Sequence, residues 1–202
     1  LNRPRPILTH SARSIERDAD PSKAAASLLR GQELLVSDRY QTGVRILEQL
    51  HRRLGPPDDN EPHHLRTSFK RRFREAALRL LAPITEHRLD MEGAGPIGFL
   101  EELYPELPSF TLPFVEAEEL HGAWKNYKEG VHLAVLGHKV HPFYGTYAPT
   151  RTSHLELFAT WLSQYGGNKE SAADIGTGCG VLALKLCRSG FKKVIATDIN
   201  PN

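Results

Sequence analysis

The sequence predicts an α/β protein in three parts: an N-terminal helical bundle, a β-hairpin, and the opening of a domain built on parallel strands. Three observations predict it. Between residues 21 and 81 apolar side chains recur at spacings of three and four, the period of amphipathic helices. Between residues 131 and 147 two short runs of β-branched, aromatic and apolar residues flank Gly137, as hairpin strands do. From residue 171 the order becomes strand, glycine loop, helix, strand, which is a βαβ unit with a right-handed crossover and a parallel sheet covered on both faces.

Bulk composition limits the function classes. With 202 residues, 40% hydrophobic and 25% charged, the chain has the make-up of a soluble globular protein of one or two domains. A formal charge of +2 is too small a bias to imply a nucleic-acid partner by itself. Cys179 and Cys187 form neither a disulfide framework nor a CxxC pair, so a reducing, intracellular compartment is expected, cytoplasmic or organellar. No run of about 18 apolar residues is present, so no membrane is expected as a partner. The chain begins at Leu1 and its single methionine is Met91, which reads as a processed or excised segment with an upstream targeting peptide left open.

Residues 1–20 are polar and aperiodic and read as a disordered lead-in. Residues 21–90 read as a helical domain, a candidate for substrate recognition. Asp20-Pro21 supplies an N-cap and a first-turn proline for a helix carrying Ala24, Ala25, Leu28 and Leu29. A second helix shows Tyr40, Val44, Leu47, Leu50 and Leu54 and closes at "GPP". A third, from about His64 to Leu81, shows Leu65, Phe69, Phe73, Ala76 and Leu80 on one face. That helix is also basic, and contact with RNA or the ribosome through residues 64–81 is one reading of its charge; a solvated face is the other.

Residues 91–125, rich in Gly and Pro, read as a surface connector ending in a short helix at 116–124. Residues 126–202 hold the hairpin, joined through Gly137-His138-Lys139, then a helix opened by Ser153 and Glu156 in capping-box spacing, then the βαβ unit. His132, His138 and His141 lack Cys or acidic neighbours at ligand spacing, so no metal site is expected. Trp124, Tyr127, Phe143 and Tyr144 read as packing residues rather than a base-stacking platform.

The stretch "AADIGTGCGVLAL" at 172–184 carries the chemistry. A strand that ends in glycines and runs into a helix leaves room for a ligand to approach the backbone. Asp198, at the end of the next strand, falls 22 residues after Gly176, where an acid accepts hydrogen bonds from a ribose diol. The dinucleotide pattern G-x-G-x-x-G would need glycine where Val181 stands. The observed D-x-G-x-G-x-G places Asp174 before the first glycine, and a carboxylate there repels pyrophosphate and attracts an ammonium or sulfonium. Cys179 has no base near it in sequence and reads as a small side chain facing the ligand.

With "VIATDINPN" following, these residues resemble the first two motifs of class I S-adenosylmethionine-dependent methyltransferases, and within them the glutamine-amide methyltransferases of peptide-chain release factors. The resemblance is specific for the last 70 or so residues and architectural before them. It implies that the βαβ unit opens a Rossmann-like methyltransferase domain. It implies S-adenosyl-L-methionine as the cofactor, held by Asp174, Gly176, Thr177, Gly178 and Gly180, with Asp198 on the ribose and Ile199 on the adenine. Thr150 and Arg151 would touch donor or substrate. A protein substrate is implied as partner. Where that family has a P-R-P-E-T-E-like stretch, this chain reads Ala148-Pro149-Thr150-Arg151-Thr152-Ser153, without a glutamate.

The family's N-P-P-Y-type motif, which orients a poorly nucleophilic amide nitrogen, is not among these residues; "INPN" at 199–202 follows the second strand instead. The catalytic residues are therefore expected after Asn202, and the chain as given is expected to be inactive. Three other readings stand beside this one: a methyltransferase acting on RNA or DNA amino groups, a non-catalytic scaffold, and an NAD(P)-dependent oxidoreductase.

Overall fold

Asp20 and Pro21 start the first helix as their chemistry dictates. In the computed structural model, which describes residues 2–15, 17–58, 60–149 and 151–201, α1 spans Pro21–Leu29 and the Asp20 carboxylate accepts the Ser22 backbone N–H at 2.8 Å. The helix closes where Gly31 adopts φ +88° and the Gln32 N–H reaches the Ser27 carbonyl at 3.1 Å. The chain divides into two compact units, Pro4–His121 and Gly122–Asn202 together with Leu1–Arg3.

The first unit is built on a mixed sheet. Strands β1 (Arg13–Ile15), β2 (Leu34–Val36) and β3 (Leu80–Thr85) run parallel, with Arg13 opposite Leu34 and Leu34 opposite Leu80. Strands β4 (Arg88–Leu89) and β5 (Phe110–Pro113) pair antiparallel with β3. Helices α2 (Tyr40–Leu54) and α3 (His63–Ala77) link β2 to β3, α4 (Phe99–Leu103) precedes β5, and α5 (Phe114–Glu129) follows it.

The expected helical bundle over 21–90 is therefore corrected: its three helices form, but strands run between and after them. The third helix stops at Ala77 rather than Leu81, because Leu80–Ile84 is the central strand, with Leu80, Leu81, Ala82 and Ile84 all buried. A continuous apolar run reads the same in a buried strand and in a buried helix end.

The disordered lead-in is corrected too. Besides β1, Ile7 and Thr111 exchange backbone hydrogen bonds of 2.8 and 3.0 Å, and the buried Tyr104 hydroxyl donates to the Pro4 carbonyl at 2.7 Å. The edge of β5 offers backbone groups that need partners, and this polar segment supplies them. The surface connector is likewise part of the core: Ile97, Phe99, Leu100, Leu103, Tyr104, Leu112 and Phe114 are all buried. Gly and Pro punctuate the stretch, while the apolar residues between them cover the sheet.

On α2 the core-facing positions are Gly43, Ile46 and Leu50 rather than the expected stripe through Val44 and Leu47. The reason is Gly43, where a Cβ would overlap the Phe114 ring, so only glycine lets that aromatic lie against the helix.

In the second unit, β6 (Val131–Leu133) and β7 (His138–Val140) form the hairpin. The turn is Ala134–Gly137, not Gly137–Lys139: Leu133 faces His138, and Gly137 at φ +68° closes a four-residue loop. Helix α6 (Ser153–Gln164) begins one residue earlier in its capping than expected. Thr152 is the N-cap, its carbonyl accepting the Glu156 N–H at 3.0 Å and its hydroxyl donating to the Glu156 carboxylate at 2.9 Å. Strands β8 (Ser171–Ile175) and β9 (Lys193–Thr197) pair in parallel through α7 (Val181–Arg188).

Leu133, Leu136, Val140, Leu155 and Val181 make one core cluster of this unit. One face of the sheet packs on α7, while Ile175 is 78% exposed and Ile195 48% exposed. The expectation of a sheet covered on both faces is thus corrected; among the described residues no second helical layer reaches those isoleucines. No helix among the described residues is long and apolar enough to cross a membrane.

Candidate functional site

The loop between β8 and α7 is folded by its own hydrogen bonds. Gly176, Gly178 and Gly180 all have positive φ, at +75°, +53° and +78°. Gly178 is the most constrained, since a Cβ there would lie 2.7 Å from the Tyr147 carbonyl oxygen as well as in an unfavourable backbone region. A Cβ at Gly176 or Gly180 would meet no atom within 4 Å, so the space beside both is open.

Each backbone N–H from Gly176 to Gly180 has a protein acceptor. The Gly176 and Thr177 amides donate to the Thr197 carbonyl at 2.8 and 2.9 Å, tying the loop to β9. The Gly178 amide donates to the Asp198 carboxylate at 2.7 Å. The Cys179 amide donates to the Tyr147 carbonyl at 2.9 Å and the Gly180 amide to the Thr177 carbonyl at 2.9 Å. A phosphate cradle works by aiming free amides at an anion. This loop has none to aim between 176 and 180.

Two carboxylates hold that arrangement. Asp174, buried at the end of β8, uses one oxygen to accept the Thr177 hydroxyl at 2.7 Å and the Ala183 N–H of α7 at 3.0 Å. Strand, loop and helix thus meet on one oxygen atom, and the other accepts no hydrogen bond among the described residues. Asp198 is exposed and accepts the Asn200 and Gly178 amides at 2.8 and 2.7 Å, one on each oxygen. Those backbone donors, Asn200 first and Gly178 second, hold its pKa below the ordinary aspartate value. A carboxylate has about four lone-pair sites, so acceptor capacity remains on both oxygens for a diol.

Beside Asp174 is a small hollow of about 80 Å³, lined by Tyr147, Pro149, His154, Leu155, Asp174, Gly176, Thr177, Cys179, Val181 and Leu182. At about 30 Å³ per water it has room for two or three, the scale of a side-chain end rather than a nucleoside. Burial pushes the Cys179 thiol pKa up, against the lowering effect of the Cys179 and Val181 amides. A neutral thiol is a poor nucleophile, which fits a lining role for it.

The sequence-predicted residues are distributed as follows. Asp174, Gly176, Thr177, Gly178, Gly180 and Asp198 come together around the loop. Ile199 follows Asp198 with its side chain fully exposed, 101% of the reference value, as an apolar surface at the rim. Arg151 is exposed and does not line the hollow among the described residues; Thr150 lies outside the described residues. Sequence reasoning missed Tyr147, His154 and the Thr197 carbonyl. Tyr147 sits in an aromatic, glycine-containing segment, but no spacing rule ties it to a loop some 30 residues later. The chain matches no protein-family model and no curated protein.

Proposed function

We propose that this chain binds S-adenosyl-L-methionine and belongs to a methyltransferase that modifies a nitrogen atom of a protein, a glutamine amide being preferred on the resemblance of its motifs. One observation carries the donor reading: the loop amides from Gly176 to Gly180 are spent within the protein, while two carboxylates stand at the ends of the paired strands. That is the wrong chemistry for a pyrophosphate and a suitable one for a cationic nucleoside. It argues against the NAD(P)-dependent oxidoreductase.

The residues present fit such a group. The hollow beside Asp174 has the size and negative charge for the amino-acid end, the open space over Gly176 and Gly180 admits the nucleoside, and Asp198 with Ile199 offers a diol acceptor next to an apolar surface. Bound there, the donor supplies an electrophilic methyl on a sulfonium. The chain's own part is to orient it: Asp174 fixes the loop to α7, and Asp198 fixes the loop to the strand end while presenting its remaining lone pairs. An RNA or DNA amino group as methyl acceptor is the second reading, favoured by the basic helix α3 of the first unit.

Isothermal titration with S-adenosylhomocysteine and with NAD separates the readings. The proposal expects saturable binding of the first, weakened at least tenfold by Asp198→Ala, and no binding of the second. Binding of NAD alone would assign the loop to a dinucleotide, and binding of neither would leave the scaffold reading standing.

A further inference from the structure

Helix α3 has a surface its own fold does not explain. Phe69 and Phe73 pack edge-on around His51, with ring centroids 5.0 and 5.7 Å away, and Ala76 and Ala77 are buried. From His63 to Glu75 every other residue except the half-buried Ser68 is exposed. That exposed surface carries five Lys or Arg side chains and one acid, Glu75. The N-terminus of the helix has no acidic residue in its first turn and no side-chain cap, and only Arg74, in the last turn, complements the helix dipole. Arg66, Lys70 and Arg74 follow one another at four-residue spacing, where like charges repel.

Intramolecular acids neutralise only part of this surface. Arg74 is held by Glu116 and Glu119 of α5, and Arg79 by Glu75. No ion pair joins Lys70, Arg71 or Arg72 to a carboxylate among the described residues. On one flank, Arg72 and Arg79 share a hollow of about 330 Å³ with Arg30, at the end of α1, and with Glu75. Three guanidinium groups and one carboxylate around one concavity leave a site of net positive charge, with planar donors that match phosphate oxygens.

We propose that α3 and the Arg30–Arg72–Arg79 hollow form a docking surface for the phosphodiester backbone of a nucleic acid. A folded protein partner would need a central apolar anchor, and the outward crest of α3, His64, Thr67, Arg71 and Glu75, has none. A membrane surface would need an apolar face beneath the cations, and the only exposed large apolar side chain on this helix is Leu65. Phosphate docking needs only unneutralised, accessible cations on a rigid element. The inference goes beyond the donor reading and does not depend on it.

The test is fluorescence anisotropy of the full chain with a fluorescein-labelled single-stranded RNA of about twenty nucleotides and no methyl donor, at about 50 and 200 mM salt. Binding should weaken at least tenfold between the two salts, as counterion release requires. R71Q/R72Q should weaken it at least tenfold further and flatten the logarithmic salt slope by about 0.7 per charge removed. R71K/R72K should retain binding, and Lys125→Gln, which removes a charge outside α3, should change it less than twofold. No RNA binding at low salt, a salt-independent affinity, or equal losses from R71Q/R72Q and Lys125→Gln would each overturn the proposal. Displacement of the RNA by a poly-glutamate peptide at equal charge concentration would assign the surface to an acidic protein instead. Because the salt slope is read on the unaltered chain, a folding defect in a variant does not rescue the idea.

Discussion

The two units use their side chains in different ways. In the first, large apolar residues such as Leu80, Phe99, Leu100 and Phe114 are fully buried against a five-stranded sheet, and the polar side chains work mostly at the surface. In the second, each of the two sheets has two strands, isoleucines of β8 and β9 face outward, and the one buried carboxylate among the described residues, Asp174, holds a loop in place. The lesson is that stability and loop geometry rest on different forces here: apolar burial fixes the first unit, while a handful of charge-assisted hydrogen bonds fixes the glycine loop of the candidate site.

Substitutions in each unit can break that contrast. The largest effect is expected from Phe114→Ala, which empties a buried ring site beside Tyr40, whose ring centroid is 5.3 Å away. It should cost about 3–5 kcal/mol in chemical denaturation. Binding of S-adenosylhomocysteine under native conditions should change little, and a parallel loss of affinity would show that the units are not separable. Asp174→Ala comes next. It leaves the Ala183 amide and the Thr177 hydroxyl without their acceptor, a loss of about 1–3 kcal/mol, and here affinity should fall together with stability.

Gly178→Ala forces a left-handed residue and a close approach to the Tyr147 carbonyl. About 1–2 kcal/mol of destabilisation is expected. Its thermal shift should be small beside the loss of ligand binding, measured by titration calorimetry.

The pH dependence follows from Asp198. Its folded pKa is depressed by the Asn200 and Gly178 amides, so its contribution to loop closure is complete above the unfolded value and lost as pH falls through the folded one. The Gly178 amide resonance should therefore hold its position above about pH 4 and move only in more acidic solution. A midpoint above that value would mean that the carboxylate does not accept these amides. The smallest effect on stability is expected from Ile199→Ser, within about 0.5 kcal/mol because the side chain is wholly exposed. It should still weaken nucleoside binding by several-fold.

Legibility differed between the units for physical reasons. The βαβ unit was readable because glycines at alternate positions, a following helix and Asp198 at a fixed offset are all local signals. The sheet of the first unit was not: β1 and β2 have three residues each, too few for alternation to show, and their parallel pairing joins residues far apart in sequence. Leu80–Ile84 continues the apolar pattern of α3, so periodicity alone does not mark where that helix ends. At the site, Asp174 and Asp198 could be found from spacing. Their actual work could not: Asp174 accepts the Thr177 hydroxyl and the Ala183 amide of α7, and Asp198 accepts the Gly178 amide, which depends on how the loop turns. Tyr147 was invisible for the same reason, since its carbonyl rather than its side chain makes the hydrogen bond.

The central claim is that the loop from Gly176 to Gly180 receives a nucleoside through carboxylates and open backbone space, and not an anion through its amides. The most direct measurement is the amide proton–nitrogen correlation spectrum of the chain during separate titrations with S-adenosylhomocysteine and with pyrophosphate. The account predicts that S-adenosylhomocysteine shifts resonances of Asp174, Gly176, Gly180, Asp198 and Ile199, and that pyrophosphate leaves all five loop amides in place. Saturable shifts of the Gly176–Gly180 amides with pyrophosphate, and none with S-adenosylhomocysteine, would contradict it.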